Sequence, residues 1–228
     1  MFSKHGVLMG ATVALAMALS GCRLLDDFSP SPSESSSTAS TMDASQWTFE
    51  YSPGMPGHPS TADNGWTFAF PTANGVHYLT TKQHPGSASA AISASISVET
   101  SGDPFFEYRT EPGNTCEAPA TVRLYFQRRG DNMSGDGDYE FYRWWNNSAA
   151  FVLGPGRMDL VGDLTDPSQW TSVFGKHGDV NEPMFRAALA DIGEVGFTFG
   201  GGCFYGHGVY IAPTTGQAIF KTTDYVVR

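Results

Sequence analysis

The stretch Ile92-Ser93-Ala94-Ser95-Ile96-Ser97-Val98-Glu99 alternates apolar and polar residues without a break. Successive side chains of a strand point to opposite faces, so Ile92, Ala94, Ile96 and Val98 make one apolar face and Ser93, Ser95, Ser97 and Glu99 a wet one. The same period recurs at Val122, Leu124 and Phe126, set against Arg123, Tyr125 and Gln127. Shorter runs rich in aromatic and β-branched residues lie at 47–51, 66–70, 76–81, 105–109, 139–145, 149–153, 195–199, 209–212 and 217–227, and Gly, Pro, Asn and Asp fill the gaps. Many short strands divided by turn residues predict a mainly β fold, an antiparallel β-sandwich with one or two short helices.

The helices are expected near Asp166 and Glu182. Asp166 is placed to cap a turn running from Pro167 to Phe174, with Pro167 at the tolerated first position. From Glu182 to about Ile192, Phe185, Ala188, Leu189 and Ile192 recur at helical spacing; Asn181 is placed to cap this segment and Gly193 to end it. No internal repeat of fixed period is visible.

Upstream of Gln46 the composition changes. From Ser29 to Ser45 the chain is dominated by Ser, Thr, Pro and Ala, which cannot bury enough apolar surface to offset ordering entropy and is expected to act as a tether. The organisation expected is a leader over residues 1–21, a linker over 22–45 and one sandwich domain over 46–228. That domain, roughly 180 residues, is long enough to bury a full core. The chain carries 13 Lys and Arg against 23 Asp and Glu, a net charge of −10. Nucleic acid is therefore excluded as an expected partner, because phosphate binding needs a basic surface.

The leader has Lys4 and His5 ahead of an apolar run from Val7 to Leu19, shorter than the about 20 residues a membrane-spanning helix needs. Its end, Leu19-Ser20-Gly21-Cys22, resembles the lipobox of bacterial lipoproteins. The resemblance implies that Cys22 becomes a lipidated N-terminus. Such a protein is exported and held to the cell envelope by several acyl chains, since one chain alone anchors only marginally. In Gram-negative lipoproteins Asp after the lipidated Cys favours the inner membrane; Arg23 stands there, so the outer membrane is implied where the host has one. With Cys22 lipidated, Cys116 and Cys203 are the remaining thiols, and an even pair in an exported protein is expected to form a disulfide. A redox or metal role for that pair would want a C-x-x-C spacing, which it lacks.

The closing stretch, from Val195 onward, is similar in texture to the closing strands of jelly-roll domains of exported bacterial proteins, carbohydrate-binding modules among them. That likeness implies sugar binding and supplies no site residue. The residues themselves point to the segment from Arg128 to Trp145. If the strands around Leu124 and Phe141 form a hairpin, 129–137 is its acidic, Gly-rich tip. The first strand offers Arg123, Tyr125 and Gln127 outward, and the second offers either Glu140, Tyr142 and Trp144 or Phe141, Arg143 and Trp145. Trp144 and Trp145 must point opposite ways, one into the core and the other free to stack on a sugar. The candidate ligand-binding residues are thus Arg123, Tyr125, Gln127, Tyr142, Trp144 and Trp145.

Asp131, Asp136 and Asp138, with Asn132 and Glu140, gather hard oxygen ligands around glycines, as Ca²⁺ would require, although the spacing is not that of an EF-hand and an ordinary turn would use the same residues. Asp136, Asp138 and Glu140 would share a face in a strand, the arrangement a polysaccharide hydrolase would use, but they match no glycosidase motif. Gly200 to Gly202 and Gly206-His207-Gly208 lack phosphate-loop spacing, and there is no Gly-x-Ser-x-Gly elbow. The expectation is a non-catalytic lipoprotein that binds a glycan or another envelope component. The alternatives are a jelly-roll polysaccharide hydrolase and an assembly lipoprotein that docks another protein.

Overall fold

The computed structural model describes residues 39–40, 42–110, 118–202, 205–213 and 215–228. The lipobox with Cys22, and the Cys116 and Cys203 pair, lie outside the described residues. The strands in chain order begin with β1 (Ala39–Ser40), β2 (Trp47–Glu50), β3 (Ser60–Ala62), β4 (Gly65–Ala69), β5 (Tyr78–Thr81), β6 (Ala91–Gly102), β7 (Phe106–Tyr108) and β8 (Ala120–Arg128). They continue with β9 (Arg143–Asn146), β10 (Phe151–Val152), β11 (Gly156–Asp163), β12 (Trp170–Thr171), β13 (Ile192–Gly201), β14 (Val209–Ile211) and β15 (Gly216–Val227). One α-helix, α1 (Glu182–Leu189), precedes β13. Among the described residues no helix is long and apolar enough to cross a membrane.

All strand pairings among the described residues are antiparallel. The first sheet runs β11-β6-β15-β4-β3, with β1 continuing beside β15; the second runs β12-β9-β8-β13-β5-β2, with β10 also on β8; β7 and β14 form a small ribbon. The two sheets pack face to face as a sandwich through aromatic rings. Trp47 of the second sheet meets Trp66 of the first at 4.8 Å between centroids, Phe49 meets Phe68 at 5.2 Å, and Phe197 meets Phe220 at 5.6 Å. Such pairs add roughly 0.5–1.5 kcal/mol each beyond the area they bury. Ile92, Ala94, Ile96 and Val98 are buried as their alternation requires, while Ser93, Ser95 and Ser97 are half-buried on the other face.

Ahead of Gln46, β1 pairs Ala39 with Val227, and Ala44 enters the core. Four strands, β1, β3, β11 and β12, fall outside the runs expected from the sequence. In β11, exposed Val161 breaks the alternation of Met158 and Leu160, and Gly162 is required by packing, since a Cβ there would lie 2.6 Å from Trp170 Cζ2. The turn expected from Pro167 to Phe174 is instead two 3₁₀ pieces flanking β12. Asp166 does cap the first, accepting from the Ser168 N–H at 3.1 Å. The Trp170 indole draws the chain back by donating to the Asp163 carbonyl at 2.7 Å.

Helix α1 closes one end of the core, placing Phe185 against Phe126, Trp144 and Trp170. Asn181 does not cap with its side chain, which donates to the His177 carbonyl at 2.8 Å; its own carbonyl accepts from Met184 and Phe185. The helix ends before Gly193, because Ile192 already belongs to β13.

Candidate functional site

The candidate site grows from the face of the second sheet turned away from the core. The β8 register puts Trp145 opposite Tyr125 and Arg143 opposite Gln127. On its other side Glu194, Gly196 and Thr198 of β13 stand opposite Gln127, Tyr125 and Arg123, and Tyr78 of β5 stands opposite Thr198. Gly196 presents no side chain, and the rings of Tyr78 and Tyr125 meet edge to face at 5.3 Å. Tyr78, Tyr125 and Trp145 form a small cluster of their own, packed under Met133, Val173 and Tyr205. An outward face is therefore roofed by loops, and Arg123, Tyr125, Gln127, Arg143, Glu194 and Thr198 are all buried on it.

Between these loops opens a cleft of about 1130 Å³. Tyr78, Arg143 and Trp145 line its base; Met133, Ser134, the segment 172–175, Tyr205 and His207 line it from one set of loops, and Tyr51, Pro53, His77 and Arg109 from others. At its rim the rings of Tyr51 and Phe174 are 58% and 76% exposed. Tyr51, Met133 and Phe174 have φ of 53°, 64° and 58°; the other described non-glycine residue with positive φ, Asn74 at 66°, accepts from Arg109 at 3.3 Å. Positive φ is unfavourable for bulky side chains, costing about 1–3 kcal/mol per site, and such strain gathers where function demands it. Gly206, at φ +72°, permits the loop to approach the sheet: a Cβ there would collide with the Tyr78 hydroxyl.

Arg143 is the electrostatic centre. Its Nε lies 2.8 Å from Asp131 Oδ2, with the two side chains 7% and 0% exposed. This is a charge contact rather than an aligned hydrogen bond. Burial raises the Asp131 carboxyl above the usual carboxylate range, opposed by Arg143 and by the Met133 N–H, which donates to it at 3.0 Å. The guanidinium also lies 5.9 Å over the Trp145 ring, and Arg123 lies 4.4 Å over Tyr205. Burial pushes the Tyr78 phenol up to about 12 and the Tyr125 phenol well above its ordinary value, so both remain protonated donors. Burial lowers the His77 pKa, against the pull of the Asn74 and Gly206 carbonyls that its ring nitrogens face at 3.2 and 3.0 Å. Among the described residues, several buried polar atoms on and over this face have no hydrogen-bond partner: Arg123 Nε, Tyr125 OH, Trp145 Nε1, Ser172 Oγ, Glu194 Oε2 and Thr198 Oγ1. Each such atom costs about 1–3 kcal/mol when left unpaired.

Of the six candidate residues, Arg123, Tyr125, Gln127 and Trp145 come together here. Trp144 does not, because it stands opposite Phe126, is fully buried in the core and donates its indole N–H to the Phe141 carbonyl at 2.8 Å. Tyr142 does not either: Gly137–Phe141 is a 3₁₀ helix rather than a strand, and Tyr142 at its end packs on Tyr139 and under Arg128. The same turn keeps the three carboxylates expected for calcium apart. Asp131 points inward to Arg143 while Asp136 and Asp138 are exposed, and among the described residues no three His, Cys, Asp or Glu side chains gather to hold a metal. Sequence reasoning missed Tyr51, His77, Tyr78, Arg109, Phe174 and Tyr205 as site residues. They come from segments far apart in the chain, with no local spacing that links them. Compared with family models, curated proteins and solved structures, the chain matches none.

Proposed function

We propose that this protein binds a glycan in the cleft over the second sheet and does so as an exported lipoprotein anchored to the cell envelope through Cys22. The observation that carries the reading is the pairing of rim and base: exposed Tyr51 and Phe174 on strained backbone, above a lining where Trp145 and Ser172 keep buried polar atoms unpaired among the described residues. Sugars need both kinds of surface, because their C–H faces stack on aromatic rings while their hydroxyls need directional partners. The lipobox-like Leu19-Ser20-Gly21-Cys22 and the Ser-rich segment after it support display of this cleft outside the membrane. A glycan array with the wild type and Phe174→Ala tests the binding. Binding that falls at least about tenfold in the variant supports it, and the absence of binding to any sugar refutes it.

A hydrolytic role is favoured by one observation. Glu50 and Glu194 lie on the outer face of the same sheet, beside the cleft and not lining it, and burial together with the Glu194 charge raises Glu50, as a proton-donating acid would need. New reducing ends released from a bound glycan, and lost in Glu194→Gln, would establish it. A glycan recovered intact would leave binding alone.

A further inference from the structure

The charge of the cleft runs against that of the chain. A protein of net charge −10 lines this cleft with the cations Arg109 and Arg143, and with no Asp or Glu among the described residues. Asp131 lies beneath Arg143, its side chain fully buried, so it neutralises that guanidinium from below without presenting a carboxylate to a ligand. Because Asp131 meets Nε, the terminal nitrogens are the edge of Arg143 left for Tyr78 and for the cleft. Arg109 stands exposed at the opening, steadied by Asn74 Oδ1 at 3.3 Å. Glu50 and Glu194 share the sheet face but do not line the cleft.

We infer that the ligand is an anionic saccharide, and that its carboxylate is received by Arg143 at the base with Arg109 at the mouth. This rests on the glycan reading above and narrows it to uronate-containing sugars. A planar guanidinium held in place by an acid, a phenol and an indole face suits a planar carboxylate, which it can meet with two parallel N–H donors. The fixed geometry matters as much as the charge: an arginine already immobilised loses little further freedom on binding. Neutral hydroxyls would leave Arg109, which has no ion-pair partner among the described residues, without a charge to meet at the mouth of the cleft.

The test measures affinity of the full chain for a panel of uronate oligosaccharides and for the same oligosaccharides after reduction of their carboxyl groups. Carboxyl reduction is expected to cost at least about tenfold. Arg109→Gln, at an exposed position, is expected to cost about two- to fivefold and to flatten the salt dependence. Arg143→Gln is made with Asp131→Asn so that no buried charge is stranded, and with the fold checked by melting it is expected to abolish the preference for the acid form. Equal binding of acid and reduced sugars, or binding of neutral or sulfated sugars alone, overturns the inference and leaves the glycan reading standing. Binding of no sugar of any kind overturns both.

Discussion

The two outer faces of the sandwich follow the same alternation and reach opposite ends. On the first sheet Ser93, Ser95 and Ser97 are half-buried beside an exposed Lys221–Glu99 pair at 2.6 Å. On the second sheet Arg123, Tyr125 and Gln127 occupy equivalent positions and are buried under loops. A period of two says which residues turn from the core and nothing about what covers them. The difference comes from the connections: 129–142, 172–175 and the loop bearing Tyr205 all fold over one sheet. An outer face made of aromatic and charged residues is the one worth covering, since small serines offer little to pack against.

The adjacent tryptophans give the sharpest way to break this comparison. Trp144→Ala, in the core, is expected to lose about 3–5 kcal/mol of stability. Trp145→Ala, on the roofed face, should lose clearly less and instead weaken ligand binding; equal losses in denaturant unfolding would show that the second face is simply more core. Asp131→Asn comes next, at about 2–3 kcal/mol, because it strands the Arg143 charge while leaving the cleft's solvent to relieve it. A chemical melt checks this, and a change under about half a kcal/mol would mean that the pair does not hold the loop.

Alkaline titration probes the covered phenol. Tyr78 has its folded pKa raised by burial from about 10 to about 12, so the stability drawn from its neutral form is whole below pH 10 and is lost as pH rises through 12. Ultraviolet difference spectra should show no Tyr78 ionisation near pH 10, identified by comparison with Tyr78→Phe, until the fold opens; normal titration there would mean an uncovered face. Smallest of all, Ser95→Ala on the open face should change stability by no more than about 0.5 kcal/mol, its hydroxyl giving up only an exposed bond to Asp159.

Legibility followed locality. Alternation at Ile92 to Val98 and at Val122 to Phe126, and helical spacing at Phe185, Ala188 and Leu189, depend on neighbours in sequence, and those elements could be read directly. The sequence could say that Trp144 and Trp145 part company but not which turns inward; that is set by the pairing of Trp145 with Tyr125 across the hairpin. The acidic tip misled for a related reason, since the partner that fixes Asp131 is Arg143 and not a neighbouring carboxylate. Tyr51, Arg109, Phe174 and Tyr205 share no pattern at all, and meet only when four separate connections converge on one sheet.

The two outer faces are told apart most directly by which of them a ligand covers. Hydroxyl-radical footprinting of the full chain, with and without a saturating glycan selected on the array, reads this residue by residue. Protection is predicted at Tyr51, Phe174 and Tyr205, with Lys221 and Val161 on the first sheet unchanged. Protection of the first sheet, with the three rings reacting as before, would contradict it.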